Sequence, residues 1–336
     1  MTAAARAAAR SFGWTGIALR PEPRGHIHDS YVVDSRSGSF LLQRLNRGLF
    51  AAPDVLARNL AAVRGAVGGT VVPTPVPAPD GAWTVETGGG TWRAFVLVPG
   101  GPAPVPPSPA TARSAGALLG RFHRGVAALD PDAVVEVVPH FHDLGHRLAQ
   151  LRAVVAKDPA GRVGSTGREI EEAEHGATLA AAVDELCRDL PRRVAHNDAK
   201  LDNVVVRGGR AVCLVDLDTV MPGPWFWDVG DLLRSAASTG PEDAAGPPPP
   251  SLDPTRYRLV LEGYRRSVAA VPLEVSERRA LEVAGAAATY EQALRFLADW
   301  IGGDRYYRTG RPGHNLDRAR AQLALLRAMP RPSWAR

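Results

Sequence analysis

At 336 residues, 45% hydrophobic and 22% charged, the chain is long enough for two lobes and has the composition of an ordinary globular protein. Its net charge of +5 is spread without a Lys/Arg block or basic–aromatic interleaving, and no run approaches the ~18 apolar residues of a membrane span, so neither nucleic acid nor membrane is an expected partner. Cys187 and Cys213 are too few and too far apart for a disulfide framework or a CxxC zinc site, and "MTAAARAAARSFGW" lacks the apolar core of a signal peptide, which together predict a cytoplasmic protein.

In chain order, "HDSYVVD" and "SFLLQRL" read as strands joined by the hairpin signal "SRSG". "PDVLARNLAAVRGAV" (53–67) has helical spacing at Val55, Leu56, Leu60 and Val63, with Pro53 suited to its first turn. "AWTVET" and "TWRAFVLV" are short strands around the glycine turn 88–90. "PGGPAPVPPSPA" (99–110) is the strongest break in the sequence. The expected organisation is therefore an N-terminal lobe over 1–98, a hinge or linker over 99–110, and a larger lobe over 111–336. The second part turns helical at 111–129 and 166–190, carries a hairpin from "NVVVRGG" and "RAVCLVDLD", and is helical again from 253. "GPPPPS" (246–251) reads as an exposed loop without chemistry.

The chemistry concentrates in "AHNDAKLDN" and "VCLVDLD". Only two lysines occur in the chain, and one of them, Lys200, lies here between Asp198 and Asp202. Phosphoryl transfer from ATP needs a carboxylate to take the acceptor's proton, oxygen ligands for Mg²⁺, and a cation for the transferred group. Asp198, then Asp216 with Asn203, then Lys200 supply those parts in turn. Read alone, "NDAK" is ordinary turn chemistry; the fixed offsets of five polar positions together with the "LVDLD" strand favour the catalytic reading. The H-x-D-x-x-x-x-N form of a kinase catalytic loop is present, with Asn197 in place of the usual Arg.

The stretch "HNDAKLDNVVV…VCLVDLDTVMPGPWFWDVGDLLR" resembles the aminoglycoside phosphotransferase superfamily and, within it, the N-acetylhexosamine 1-kinase group. "GHIHDSYVVDSRSGSFLLQRLN" and "LRFLADWIGGDRYYRTGRPGHNLDRARAQL" extend the resemblance over nearly the whole chain. It implies an α+β, bilobal protein-kinase-like fold with a small β-rich N-lobe and a mainly helical C-lobe. It also implies Asp198 as base, Asn203 and Asp216 as Mg²⁺ ligands, and sugar contacts from Asp218, Asp29, Arg295 and Tyr306. Asp228 and Asp231 would brace the catalytic loop, although both also suit a helix N-terminus.

The strand "FLLQRLN" has Gln43 and Arg44 where a lysine usually pairs the phosphates, and helix 53–67 has no Glu. Arg44 is the candidate for the α- and β-phosphates, with a surface ion pair as its alternative. Backbone groups of Val96–Val98 are the candidate adenine contact. Glu291, Arg295 and Asp299 lie four apart, either as an exposed ion ladder or with the two carboxylates orienting Arg295 toward a substrate. The expected activity is transfer of the ATP γ-phosphate to O1 of GlcNAc or GalNAc. The alternatives are a kinase of the same fold for an aminoglycoside or another alcohol, and an inactive nucleotide-binding protein.

Overall fold

The computed structural model describes residues 2–22, 27–48, 52–69 and 71–335. The N-terminal part contains α1 (Thr2–Ser11), β1 (Ala18–Glu22), β2 (Asp29–Ser35), β3 (Gly38–Arg44), α2 (Pro53–Val67), β4 (Thr84–Thr87) and β5 (Gly90–Val96). The strands form one antiparallel sheet in the order β1-β2-β3-β5-β4. Helix α1 and strand β1 carry no clear signal in the sequence. Pro21 breaks the strand pattern and is accommodated because β1 lies at the sheet edge.

Side chains alternate across a strand, so the register divides this sheet into two faces. Tyr31, Val33, Phe40, Leu42, Trp92 and Ala94 pack with Ala5, Ala8 and Ala9 of α1 and with Phe12 and Trp14 in a core of their own. Trp14 stacks flat on Phe40 at 4.1 Å. The opposite face carries the row Ser30, Gln43, Arg93, which are register partners across β2, β3 and β5.

Helix α2 begins at Pro53 as its sequence predicts, but its buried Leu60 and Val63 join the core of the C-terminal part. Asn59, 1% exposed, fixes the attachment. Its amide donates to the carbonyls of Val135 (2.8 Å) and Val220 (3.0 Å) and accepts the Val135 N–H (2.9 Å).

The proline-rich break holds β6 (Gly101–Pro102) and the start of α3 (Pro109–Val126), capped by Ser108 accepting the Thr111 N–H. Beyond it follow α4 (Leu144–Lys157), α5 (Gly167–His175), α6 (Ala177–Arg188), β7 (Arg193–Ala195), β8 (Val204–Arg207), β9 (Arg210–Leu214), β10 (Met221–Gly223), α7 (Phe226–Ala236), α8 (Pro254–Val268), α9 (Val275–Ala280), α10 (Ala284–Gly302) and α11 (His314–Ala328). β6 pairs with β8 of the β8–β9 hairpin, and β10 pairs with β7, so the segment 196–203 is strung between two small ribbons.

The segment 166–190 is two helices rather than one, broken at Gly176, where a Cβ would lie 2.4 Å from the Tyr290 ring. Helices α3 and α8 cross so closely that a Cβ on Gly116 would sit 2.0 Å from the Val260 carbonyl oxygen. Central α10 packs against α4, α7 and α11. Among the described residues no helix is long and apolar enough to cross a membrane.

Candidate active site

The loop 196–203 leaves β7 and is braced from beneath by α7. Asp228 is fully buried and accepts the backbone N–H groups of His196 (2.8 Å) and Asn197 (2.6 Å). His123 donates its Nε2–H to the same carboxylate (2.8 Å) and accepts the Tyr264 hydroxyl at Nδ1 (3.0 Å). Burial would raise the Asp228 pKa, but these bonds and the neighbouring imidazoles hold it below the usual carboxylate range. Asn197 has a left-handed φ of 62°, and its side-chain amide reaches the carbonyls of Thr219 (3.0 Å) and Met221 (3.2 Å). The asparagine in the usual arginine position thus ties the loop to the segment after Asp216. Asp231 pairs instead with Arg234 at 2.6 Å, and the Asp231 carbonyl accepts the Ser235 hydroxyl whose oxygen takes the Leu201 N–H.

Asp198, Lys200 and Asn203 converge. Lys200 Nζ lies 3.0 Å from each Asp198 carboxylate oxygen, and the Asn203 amide donates to Asp198 Oδ2 at 2.8 Å and to its carbonyl at 2.7 Å. Burial opposes ionisation of Asp198, yet Lys200 and the hydrogen bonds outweigh it, so the carboxyl pKa is depressed. Burial likewise opposes the Lys200 charge, but Asp198, Asp231 and Glu242 hold its pKa well above the ordinary ammonium value.

Val215 N–H donates to the Asn203 carbonyl (2.8 Å), fastening the second carboxylate segment to this loop. Asp216 follows with φ 66°, and its carboxylate accepts no hydrogen bond from any described residue. Its pKa is raised by burial and by the charges of Asp218 and Asp198. A carboxylate crowded by like charge, beside an Asn203 Oδ1 that also accepts no hydrogen bond from a described residue, is a donor pair suited to a hard cation. The residues present therefore fit Mg²⁺, with its remaining oxygens drawn from water or phosphate. Among the described residues there is no grouping of three or more His, Cys, Asp or Glu side chains that could hold a metal.

On the N-lobe side the placement differs from expectation at several positions. Arg44 and Asp29 are register partners on the sheet face shared with Tyr31 and Leu42, away from the cleft. They form a half-exposed ion pair at 3.7 Å, and Arg44 also donates to the Gly89 carbonyl (3.2 Å). The cleft-facing cation is Arg93, one strand over. Its guanidinium donates to both Asp218 oxygens and to Gln43 Oε1 (2.9 Å). Gln43 in turn donates to the Ser30 hydroxyl (3.1 Å).

His28, the residue before Asp29 and hence on the opposite face, donates from Nε2 to Asp218 Oδ2 (2.5 Å) and accepts the Asn46 N–H at Nδ1 (3.1 Å). Burial opposes the Asp218 charge, but Arg93 and His28 drive its pKa far below the usual range. Strand alternation in "HDSYVVD" contains the signal for this: placing Tyr31 and Val33 in the core sends Asp29 with them and His28 the other way. Gly25 and His26 lie outside the described residues. At the lobe junction Val96 N–H is committed to the Thr74 carbonyl (2.8 Å), whereas Val98 N–H makes no hydrogen bond to a described residue.

Arg295 of α10 is 15% exposed and makes no hydrogen bond to any described residue. Its guanidinium lies 5.0 Å from the Phe141 ring centroid, 5.8 Å from Tyr306 and 5.7 Å from Tyr307. Burial opposes its charge, but Tyr307, Glu291, Tyr306 and Asp198 together raise its pKa. Asp299 does not orient Arg295 as its spacing suggests. It caps the following turn instead, accepting the N–H groups of Arg305, Tyr306 and Tyr307, each at 2.9 Å, and the Asn315 amide at 2.8 Å. The four-residue spacing is real, but the chain reverses after Gly303, so the nearest unmet donors are those of the turn.

The loop after α7 also reaches the site. Glu242 bonds buried Arg234 (2.6 Å) beside Lys200, and Asp243 bonds His314 (3.0 Å), so the proline-rich insertion is anchored to the site by its first acidic residues.

The sequence profile of the phosphotransferase enzyme family matches residues 18–267. Among solved structures, an aminoglycoside phosphotransferase from Alicyclobacillus acidocaldarius superposes with a TM-score of 0.64 at 18% identity, covering 96% of this chain and 95% of that one. A choline kinase from Cryptosporidium parvum gives 0.56 at 14% identity over 91% and 88% of the two chains. Spectinomycin phosphotransferase in complex with ADP and spectinomycin gives 0.58 at 12% identity over 96% and 98%. At such identities the likeness is one of fold, and it places the two lobes in the kinase-like α+β class.

Proposed function

Since the chain belongs to the phosphotransferase enzyme family, we propose that it transfers the γ-phosphate of ATP to a hydroxyl group of a sugar, with an N-acetylhexosamine (GlcNAc or GalNAc) phosphorylated at O1 as the acceptor. The carrying observation is Arg295: a buried guanidinium with no hydrogen bond to a described residue, set among the rings of Phe141, Tyr306 and Tyr307 and within the field of Asp198. A fork of free donors beside apolar ring faces suits a neutral, hydroxyl-rich ring. It does not suit a polycation. The choice of O1 rests on the sequence resemblance and on acidity, since an anomeric hydroxyl yields its proton more readily than an ordinary alcohol.

Asp198 receives the acceptor proton, and Lys200, fixed to both of its oxygens, offsets charge on the transferred group. Asn203 and Asp216 hold Mg²⁺, which when bound neutralises phosphate charge. Arg93 takes the α/β-phosphate role first assigned to Arg44, because it lies on the sheet face of Ser30 and Gln43 and reaches Asp218. Val98, with its N–H uncommitted, is the better adenine contact than Val96. The ADP and spectinomycin bound to the spectinomycin phosphotransferase support a nucleotide and a hydroxyl-bearing acceptor in this fold.

The test is incubation with ATP, Mg²⁺ and a panel of hexosamines, other sugars, choline and aminoglycosides, with phosphorus NMR of the product. An O1 phosphate on an N-acetylhexosamine is the expected result, and turnover confined to aminoglycosides overturns the acceptor assignment. Asp198→Asn abolishes turnover while ATP affinity changes by no more than about twofold, measured by calorimetry; a substantial residual rate overturns the base assignment.

A further inference from the structure

The imidazole rings around the catalytic loop differ in one respect. His123 meets one acceptor, Asp228, and one donor, the Tyr264 hydroxyl. One donor and one acceptor define a neutral ring. His142 meets two acceptors. Its Nδ1 lies 2.6 Å from Glu291 Oε2 and its Nε2 lies 3.0 Å from the Asn197 carbonyl oxygen. The Asn197 carbonyl cannot donate, and Glu291, whose pKa is depressed despite burial by His142, Arg295 and Arg147, is a carboxylate, so both ring nitrogens carry hydrogen and the ring is an imidazolium.

The placement of this cation links two functional elements. Asn197 immediately precedes Asp198 in the chain, and its left-handed backbone sets how Asp198 leaves the loop. Glu291 precedes Arg295 by one helical turn on α10, with its second oxygen 3.9 Å from Arg295 and 3.8 Å from Arg147. The ring is nearly buried and stacks on Trp227 of α7 at 4.8 Å, nearly parallel. Arg147 of α4 grips the carbonyls of His140 (2.9 Å) and Phe141 (2.8 Å), fixing the segment that presents both His142 and the Phe141 ring.

We propose that His142 is a positioning residue that, as an imidazolium, holds the acceptor-binding helix in register with the catalytic base, so that losing its proton weakens acceptor use and spares nucleotide binding. The charged groups facing it are Glu291 and Arg295 from α10 and Asp231 from α7, with Arg147 from α4 behind Glu291. Burial disfavours the charged ring and Arg295 opposes it, yet Glu291 and Asp231 outweigh both, and the pKa is raised. A deprotonated ring would turn a lone pair toward either a buried carboxylate or a carbonyl. That separates the helix from the loop at one of its two ends.

The kinetic half of this inference rests on the proposed reading of the site; the protonation half does not. Nitrogen NMR of histidine-labelled protein without substrates is expected to show both His142 nitrogens still protonated at a pH where an ordinary imidazole has lost its charge. A neutral tautomer there overturns the proposal whether or not an acceptor has been found. In kinetics, kcat/KM for the acceptor falls on the alkaline side as the ring titrates, while kcat/KM for ATP does not follow. His142→Gln keeps a single donor group and is expected to raise acceptor KM roughly tenfold or more at neutral pH, leave ATP KM within about twofold, and abolish that alkaline fall. Unchanged acceptor KM in the variant, or a parallel rise in both KM values, overturns it.

Discussion

Arg93 and Arg44 differ by sheet face rather than by chemistry, and substitution separates them. On the proposed reading Arg93→Met raises the KM for ATP roughly tenfold or more, since it removes a charge-assisted donor from the cleft. Arg44→Met changes that KM by less than about twofold, because an exposed ion pair contributes little. Steady-state kinetics at saturating acceptor distinguishes the two. The cysteines make a simpler case: burial pushes both the Cys187 and Cys213 thiols up to about 12. Neither is expected to react with an aromatic disulfide reagent in the native protein at neutral pH, and both react after denaturation.

The candidate-site residues that the sequence offers at readable spacing fall within one loop and its hairpin: Asp198, Lys200, Asn203 and Asp216. Arg93 meets Asp218 across 125 residues, and His142 meets Glu291 across 149. Such partners leave no local spacing to read. The Asp29 placement was different in kind, because the alternation that contradicts it lay in the quoted strand.

Two elements carry more of the site than their sequences suggest. The crossing of α3 over α8 leaves no room for a side chain at Gly116, so Gly116→Val is expected to cost on the order of 2 kcal/mol or more, read as a lowered Tm. The crossing also carries His123 and Tyr264, whose hydrogen bond leads to Asp228 beneath the catalytic loop. The C-terminal end of α10 is the second. Asp299→Ala releases three backbone donors of the turn bearing Tyr306 and Tyr307. The expected outcome is a raised acceptor KM with ATP KM unchanged. Helical periodicity predicted α2 well, because Leu56, Leu60 and Val63 form a buried stripe; α10 is buried all round over its first half, and no periodicity could show that the chain would reverse after it and claim Asp299.

Across the whole molecule the buried acids define the acid limit. Asp228 and Glu291 have folded pKa values depressed below their unfolded ones, despite burial, by hydrogen bonds and neighbouring cations or imidazoles. Groups of that sign stabilise the fold fully above the unfolded carboxyl range and lose that contribution as pH falls through the depressed values. Urea midpoints are therefore expected to fall as pH drops below about 4, while the raised His142 pKa gives a separate decline on the alkaline side. The two-lobe outline was legible from the proline-rich break and the change from strand to helix signals. Which core each element joins was not, since α2 reads as part of the first lobe and packs with the second.

The Asn59 attachment has a mechanical meaning. With its amide bonded at once to the Val135 and Val220 backbones, α2 is fastened to the C-terminal core, whereas the sheet with α1 keeps a core of its own and reaches the C-terminal part through Arg93 and His28 at Asp218. Divided by packing, the molecule splits within its first hundred residues rather than after them, because α2 shares its core with the helices that follow.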